Sequence, residues 1–308
     1  MKVAYLVFAY RNPLLLGRAI RKLSSKDSAF FIHIDQKSDI AEFAEIQGEN
    51  VFFSPERIPV YWGEFSGVEA ISLLLRQAMA SPRHFDYFVL LSGSEYPLRS
   101  ATYIETYLEE HRGAEFISLV KVPARGKPLS RITTRRPQSN QPARRLLFRT
   151  LAKAGLATRN HEKYLGNLEP YAGNTWWALS REACREILQV IEKNGDFVKF
   201  FRDVFAPEEA FFHTIVGNSS LRGCAVGNLV FEDWSEQGAR PKIIDEPHFA
   251  SWMVQNEVKL QDVFGDREAL FARKFSDTNL KLLDAVDRMI EAKEHRPVAT
   301  QRLRAGTQ

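Results

Sequence analysis

The chain has 308 residues, 44% of them hydrophobic and 26% charged, with a formal net charge of +4. That length suits one large α/β domain or two small ones, and no run approaches the roughly 18 apolar residues a membrane span needs. Two distant cysteines, Cys184 and Cys224, give neither a metal-ligand spacing nor a disulfide framework.

The first element is the apolar run Lys2 to Ala9, a strand covered on both faces. It leaves no cleavage site and no room for a signal peptide, so the expected location is the cytoplasm. Pro13 to Leu23 reads as a helix, Phe30 to Ile34 as a second strand ending in "HIDQKSD", and Val51 to Phe53 as a third. "VYWGEFSGVEAISLLLRQAM" is a loop entering a helix at about Ser66. Tyr87 to Leu91 is a strong strand, Ala101 to Glu110 a helix, and Glu115 to Leu119 a further strand. This alternation implies an α/β fold, a mostly parallel sheet flanked by helices, with ligands beyond the carboxyl ends of the strands.

A basic block interrupts the pattern. Between Lys121 and Lys163 there are twelve Lys and Arg residues and one acid, Glu162. Pro123 to Pro142 reads as a long loop, and "ARRLLFRTLAKAG" as a basic amphipathic helix with Leu147, Phe148 and Leu151 on one side and Arg144, Arg145, Arg149 and Lys153 flanking them. A block of this kind favours phosphate, nucleic acid or an anionic membrane surface. "GNTWWALSREACREILQVI" then restores strand and helix, and "APEEAFFHTIVGNS" reads as a helix with Pro207 at its start and Gly217 at its end. On local signals alone, Glu208 and Glu209 complement the macrodipole of that helix. The second half of "LFARKFSDTNLKLLDAVDRMIEAK" is helical, and residues 295–308 read as a frayed tail.

There is no GxGxxG after a strand, no GxxxxGK[ST], no HExxH and no GxSxG. A compact D-x-D at a strand end is also missing, Asp35 with Asp39 and the lone Glu95 being the nearest substitutes.

Seven stretches occur in order: "HIDQKSD", "VYWGEFSGVEAISLLLRQAM", "DYFVLLSGSEYPLRS", "GNTWWALSRE", "APEEAFFHTIVGNS", "FEDW" and "LFARKF". Together they resemble glycosyltransferase family 14, which holds the core-2/I-branching N-acetylglucosaminyltransferases and the peptide O-xylosyltransferases. The resemblance runs from about Val3 to about Asp287, and "PEEAFFHT" and "FARKF" look closer to the xylosyltransferase branch. It implies a single GT-A domain over residues 1–294, with the basic loop and helix inserted at about 121–163. It also implies an inverting enzyme that takes a UDP-sugar as donor substrate, xylose or N-acetylglucosamine, and needs no metal and no other cofactor.

Under that resemblance the base that takes the acceptor's proton matches Glu209, with Glu208 a cap or an acceptor contact. The cations that stabilise the leaving diphosphate match Arg273 and Lys274, with Lys242, near Arg240, as a second candidate. Asp35 matches the acidic residue on the uracil side, and Tyr61 and Trp62 would line the nucleotide or donor sugar. Glu95 would contact sugar hydroxyls or hold its own loop, and Trp176 and Trp177 would form an acceptor platform, one of them facing the core. His33 and His213 are structural on this reading.

The acceptor would be a glycan, and a lipid-linked one would give the basic helix a purpose at the inner face of an anionic membrane. The competing class is a non-enzymatic binder of polyanions or nucleic acid resting on residues 121–163. No nucleic-acid-binding motif supports it, so no nucleic-acid partner is expected.

Overall fold

The structure, a computed structural model, describes residues 1–124, 126–136, 142–236, 238, 240–255 and 257–293. The first half alternates strand and helix as read: β1 (Val3–Ala9), α1 (Pro13–Leu23), β2 (Ser28–Ile34), β3 (Val51–Phe53), α2 (Ser66–Met79), β4 (Tyr87–Ser92), β5 (Tyr96–Pro97) and α3 (Ala101–Glu110). The insertion carries β6 (Val120–Lys121), α4 (Ser130–Thr133), α5 (Pro142–Lys153) and α6 (Glu162–Leu165). Then come β7 (Tyr171–Ala172), β8 (Ala178–Ser180), α7 (Arg181–Lys193), α8 (Gly195–Phe201) and α9 (Phe211–Gly217). The chain ends with β9 (Val230–Glu232), α10 (Glu246–Val254), β10 (Lys259–Asp262), β11 (Gly265–Glu268), β12 (Phe271–Arg273) and α11 (Leu280–Lys293).

The central sheet has the order β3-β2-β1-β4-β8, parallel except for β8, which runs antiparallel to β4. Both faces are covered, so β1 and β2 are almost wholly apolar and buried, which is what a parallel sheet between helices requires. The loops leaving β1, β2 and β4 therefore converge at one end. Asp35 N–H donates to Ala9 O at 2.8 Å, Ser38 Oγ to Tyr10 O at 2.8 Å, and Asn12 Nδ2 to Gly93 O at 3.1 Å. Gly93 makes this closure possible: a Cβ there would stand 2.9 Å from Arg11 O and 3.0 Å from Ala9 Cβ.

A second sheet, β5-β12-β9, starts where β4 ends, because only Gly93 to Glu95 separate β4 from β5. Its strands join the main core, through Val230 and Phe271, to a second apolar cluster that includes Tyr96, Ala272, Phe275 and Leu283. α11 is tied back to α1 by Arg18, whose guanidinium meets Asp284 and Asp287 at 2.6 Å each.

The strand expected at Glu115 to Leu119 is reduced to two isolated bridges, Glu115 with Ala225 and Phe116 with Ala178. Ile117 N–H turns back to Glu115 O at 2.9 Å, a three-residue turn that ends the pairing. The insertion is more structured than a long loop. Ala124 pairs with Lys127, and Thr134 with Thr158. Residues 137–141, the side chains of Arg144, Arg145 and Arg149, and the tail at 295–308 lie outside the described residues. No described helix is long and apolar enough to cross a membrane.

Candidate functional site

The two carboxylates do not open a helix. Pro207–Glu209 forms a 3-10 turn, and α9 starts after it, at Phe211. Burial dictates the break: Phe211 is enclosed by Phe65, Phe197 and Phe201, and Phe212 by Trp177. The turn is entered through Ala206 at φ 46°, whose N–H donates to Gly63 O at 2.9 Å. That left-handed residue sets the turn apart from the chain before it.

Glu209 is placed by both backbone and charge. Its carbonyl accepts from Gly173 N–H at 2.9 Å. Its Oε2 meets Lys127 Nζ at 3.1 Å and Arg131 Nη2 at 2.5 Å. Lys127 also donates to Gly173 O at 3.0 Å. The expected setting at a helix N-terminus is thus replaced by two side-chain cations from the inserted segment. Gly173 has to be glycine, since a Cβ would fall 1.8 Å from Ser118 O and 2.7 Å from His213 Cδ2.

Glu208 turns the other way, toward the start of α2, where its carboxyl lies 3.8 Å from the point a Gly67 Cβ would occupy. Its Oε2 is buried without a hydrogen-bond partner. Burial pushes its pKa up to about 7, with the Glu209 charge adding to the rise. His213 beside them is fully buried, with Nε2 against Asn174 O at 2.9 Å, and burial lowers its pKa to about 3. It is a neutral packing residue, in keeping with the structural reading.

The expected cations connect to this turn through Asn174, which follows Gly173 and whose side chain donates to Glu232. Arg273, at the end of β12, pairs with Glu95 at 2.9 Å and Glu232 at 3.2 Å, and its guanidinium lies 4.3 Å from the centroid of the Trp176 ring. Lys274 makes no ion pair among the described residues. Burial lowers its pKa to about 8, with Arg11, Arg273 and Arg240 adding repulsion. Lys242 does not join them. Its ammonium pairs with Asp245 at 3.2 Å, and Arg240 is the neighbour whose charge acts on Lys274. Segment 242–244 still runs beside the cluster, since Ile244 N–H donates to Lys274 O at 2.9 Å.

The remaining candidates scatter. Asp35 is buried and already engaged by its own loop: Oδ1 accepts from Lys37 N–H at 2.9 Å and Val60 N–H at 3.3 Å, and Oδ2 meets Lys37 Nζ at 2.7 Å. Tyr61 carries that ammonium 4.4 Å from its ring centroid. Trp62 is 68% exposed and touches Phe205 edge-on. Glu95 is the holder of its loop, its Oε2 accepting from Ser92 N–H and its Oε1 facing Arg273.

The acceptor platform expected of Trp176 and Trp177 is corrected. Both rings are buried, at 4% and 2%, because the strand they precede is covered on both faces. Trp176 stacks on Phe8 and donates to Glu232 at 3.3 Å, while Trp177 packs on Phe212. Neither offers a free face to a sugar.

Sequence reasoning missed Arg11, Glu232, Asn174, Lys127 and Arg131. Arg11 was visible as the polar break directly after β1, in "AYRNP". Glu232 lay in "FEDW" and gathers four donors, from Asn174, Trp176, Trp234 and Arg273. Lys127 and Arg131 stand within the basic block, where nothing in the spacing sets them apart from its other cations. Among the described residues, no group of three or more His, Cys, Asp or Glu side chains is arranged to hold a metal ion.

A family model described as Core-2/I-Branching enzyme matches residues 3–258. Xylosyltransferase 2 from Homo sapiens is 25% identical over 309 residues, covering 93% of this chain and 33% of that protein. Xylosyltransferase 1 from Canis lupus familiaris is 24% identical over 300 residues, covering 89% of this chain and 29% of that protein. The chain thus spans about a third of the length of the curated relatives it matches. A solved structure of 4-diphosphocytidyl-2C-methyl-D-erythritolsynthase from Anaerococcus prevotii DSM 20548 is 13% identical with a TM-score of 0.30, over 62% of this chain and 74% of that one.

Proposed function

The chain belongs to the Core-2/I-branching enzyme family, and on that premise we propose that it is an inverting, metal-independent glycosyltransferase. It moves xylose or N-acetylglucosamine from a UDP-sugar to a hydroxyl of a glycan acceptor, with residues 1–294 acting as one GT-A catalytic domain in the cytoplasm. Glu209 takes the proton of the acceptor hydroxyl as the oxygen attacks the anomeric carbon and UDP departs. Lys274 and Arg11 take up the charge that develops on the diphosphate, with Arg273 fixed behind them by Glu95 and Glu232. The donor's ring lies between these cations and the turn at residues 207–209.

The observation that carries this reading is Lys274. A half-buried ammonium without an ion-pair partner among the described residues, repelled by Arg11, Arg273 and Arg240 and favoured only in part by Glu95, is unfavourable in the free protein. An anion of two or more charges relieves it, and a diphosphate at the carboxyl ends of the strands is such an anion. The test is a thermal-shift and donor-hydrolysis screen over UDP-sugars, with and without EDTA. Stabilisation by UDP that persists in EDTA supports the proposal. A strict requirement for Mn²⁺ or Mg²⁺ would overturn metal independence and move attention to Asp35, Asp39 and Glu95.

A further inference from the structure

Two cations share one oxygen of Glu209. Lys127 and Arg131 have no other ion-pair partner among the described residues, and with Glu209 their side chains are 22%, 24% and 29% exposed. Glu208, whose carboxyl titrates at about 7, adds only about half a negative charge at neutral pH, too little to offset the second cation. The rim beside the candidate base is therefore net positive.

The same rim carries aromatic surface. Trp62 meets Phe205 edge-on with ring centroids 5.3 Å apart, and the exposed Arg136 holds its guanidinium 4.3 Å from the same Phe205 ring. Gly63 fixes this contact: its φ is +73°, and a Cβ there would stand 2.7 Å from the Phe205 ring. Phe205 lies three residues before Glu208, so the indole and the carboxylates are carried by one stretch of chain. Buried Trp176 and Trp177 cannot supply an open ring face, whereas Trp62 can.

We propose that Lys127 and Arg131 read a carboxylate or phosphate on the acceptor, and that Trp62 with Phe205 is the face against which the acceptor sugar packs. This rests on the transferase reading above and names its acceptor class as an acidic glycan. An acidic group takes the place of Glu209 Oε2 on the two cations and frees the carboxylate for the acceptor hydroxyl. The two cations stay matched, and the released Glu209 carboxylate, itself 29% exposed, is met by the acceptor hydroxyl. A neutral acceptor provides no such exchange and leaves Glu209 clamped, which makes the pair a filter against neutral sugars.

Saturation-transfer NMR on the full chain tests this with three probes: methyl glucuronide, glucose 6-phosphate and methyl glucoside, each titrated without and with saturating UDP. At least one acidic probe should bind about tenfold more tightly than the glucoside, and whichever of the two binds better identifies carboxylate or phosphate as the group read. Lys127→Met with Arg131→Met should close the gap, Lys127→Arg should retain it, and Trp62→Ala should weaken all three probes alike. Equal binding of acidic and neutral probes by the wild type overturns the proposal, and that comparison needs no variant to fold. Failure of UDP to bind would count against the donor reading alone, because the probe gap is read in its absence as well.

Discussion

Arg273 and Glu232 are register partners on adjacent parallel strands, and their side chains meet at 3.2 Å. Glu95 approaches the same guanidinium from the loop after β4, at 2.9 Å, and the Trp176 ring lies beneath it. The charge of Arg273 is thus matched within the protein, while that of Lys274, one residue later, is not. Removing Glu232 leaves Glu95 on the guanidinium but takes the acceptor from Asn174 and the buried Trp176 N–H. Glu232→Ala is expected to destabilise the fold by about 1–3 kcal/mol. Combined with Arg273→Ala in a denaturation cycle, it should show coupling of about 1–3 kcal/mol. Additive effects would mean the pair contributes nothing to each other's placement.

The base assignment separates three carboxylates. Glu209→Gln should lower kcat at least ~100-fold and leave UDP affinity near wild type, as loss of a general base does. Glu208→Gln should be much milder. Glu95→Gln should disturb UDP binding through Arg273. Steady-state kinetics with UDP titration ranks them, and near-normal turnover in Glu209→Gln would remove that residue from the mechanism.

Lys274 sets a pH dependence for donor binding. Its folded pKa is lowered to about 8, so in the free protein it loses its proton as pH rises through 8. A diphosphate favours the protonated form, hence binding at pH 8 to 9 should take up a proton and weaken as pH increases. Calorimetry in two buffers of different ionisation enthalpy measures the uptake. Lys274→Ala should bind UDP more weakly and abolish the uptake at this residue, so unchanged proton linkage in that variant would exclude Lys274 from the diphosphate site.

Glu208 sets a pH dependence for stability. Its pKa is raised from 4.5 to about 7 in the fold, so between those values the native state holds more protons than the unfolded chain. Stability from this group is complete below pH 4.5 and is lost as pH rises to 7, with a limiting slope of about 1.4 kcal/mol per pH unit. Glu208→Gln should melt at a higher temperature than wild type at pH 8, with the difference vanishing near pH 4. His213 acts in the opposite sense, its folded pKa near 3 withdrawing stability as pH falls below 6.5. Melting curves of variant and wild type compared pairwise isolate each contribution.

The expected apolar strip on α5 is split. Phe148 turns inward at 8% exposure, with the Arg135 guanidinium 5.8 Å from its ring centroid, while Leu146 and Leu147 stand 65% and 54% exposed. Among the described residues of the helix, those two leucines are exposed apolar side chains that an anionic bilayer would meet first if the helix binds one. Leu146→Ser with Leu147→Ser should reduce co-sedimentation with anionic liposomes at low salt, and high salt should release the wild type. Equal partitioning of variant and wild type would assign the helix to another contact.

The strand expected at Glu115 to Leu119 and an unbroken helix from Pro207 to Gly217 did not form, whereas the strands β1, β2 and β4 and the helices α1 to α3 are legible in the sequence. Those features follow from local periodicity: the apolar runs Val3–Ala9 and Tyr87–Ser92, the proline that opens α1, and the polar residues directly after each strand. Glu209 and Lys274 are marked only by the family resemblance of their motifs; local signals alone make Glu209 a helix-start acid and Lys274 one of a basic pair. Which carboxylate meets which cation was decided only by the tertiary structure. Glu209 and Lys127 lie 82 residues apart, and Glu232 and Arg273 lie 41 apart. Nothing local marks such pairs, because an ion pair depends on distance in space. The burial of both tryptophans had the same origin: strand alternation assigns them opposite faces, but only packing decided that helices and a second sheet would cover both.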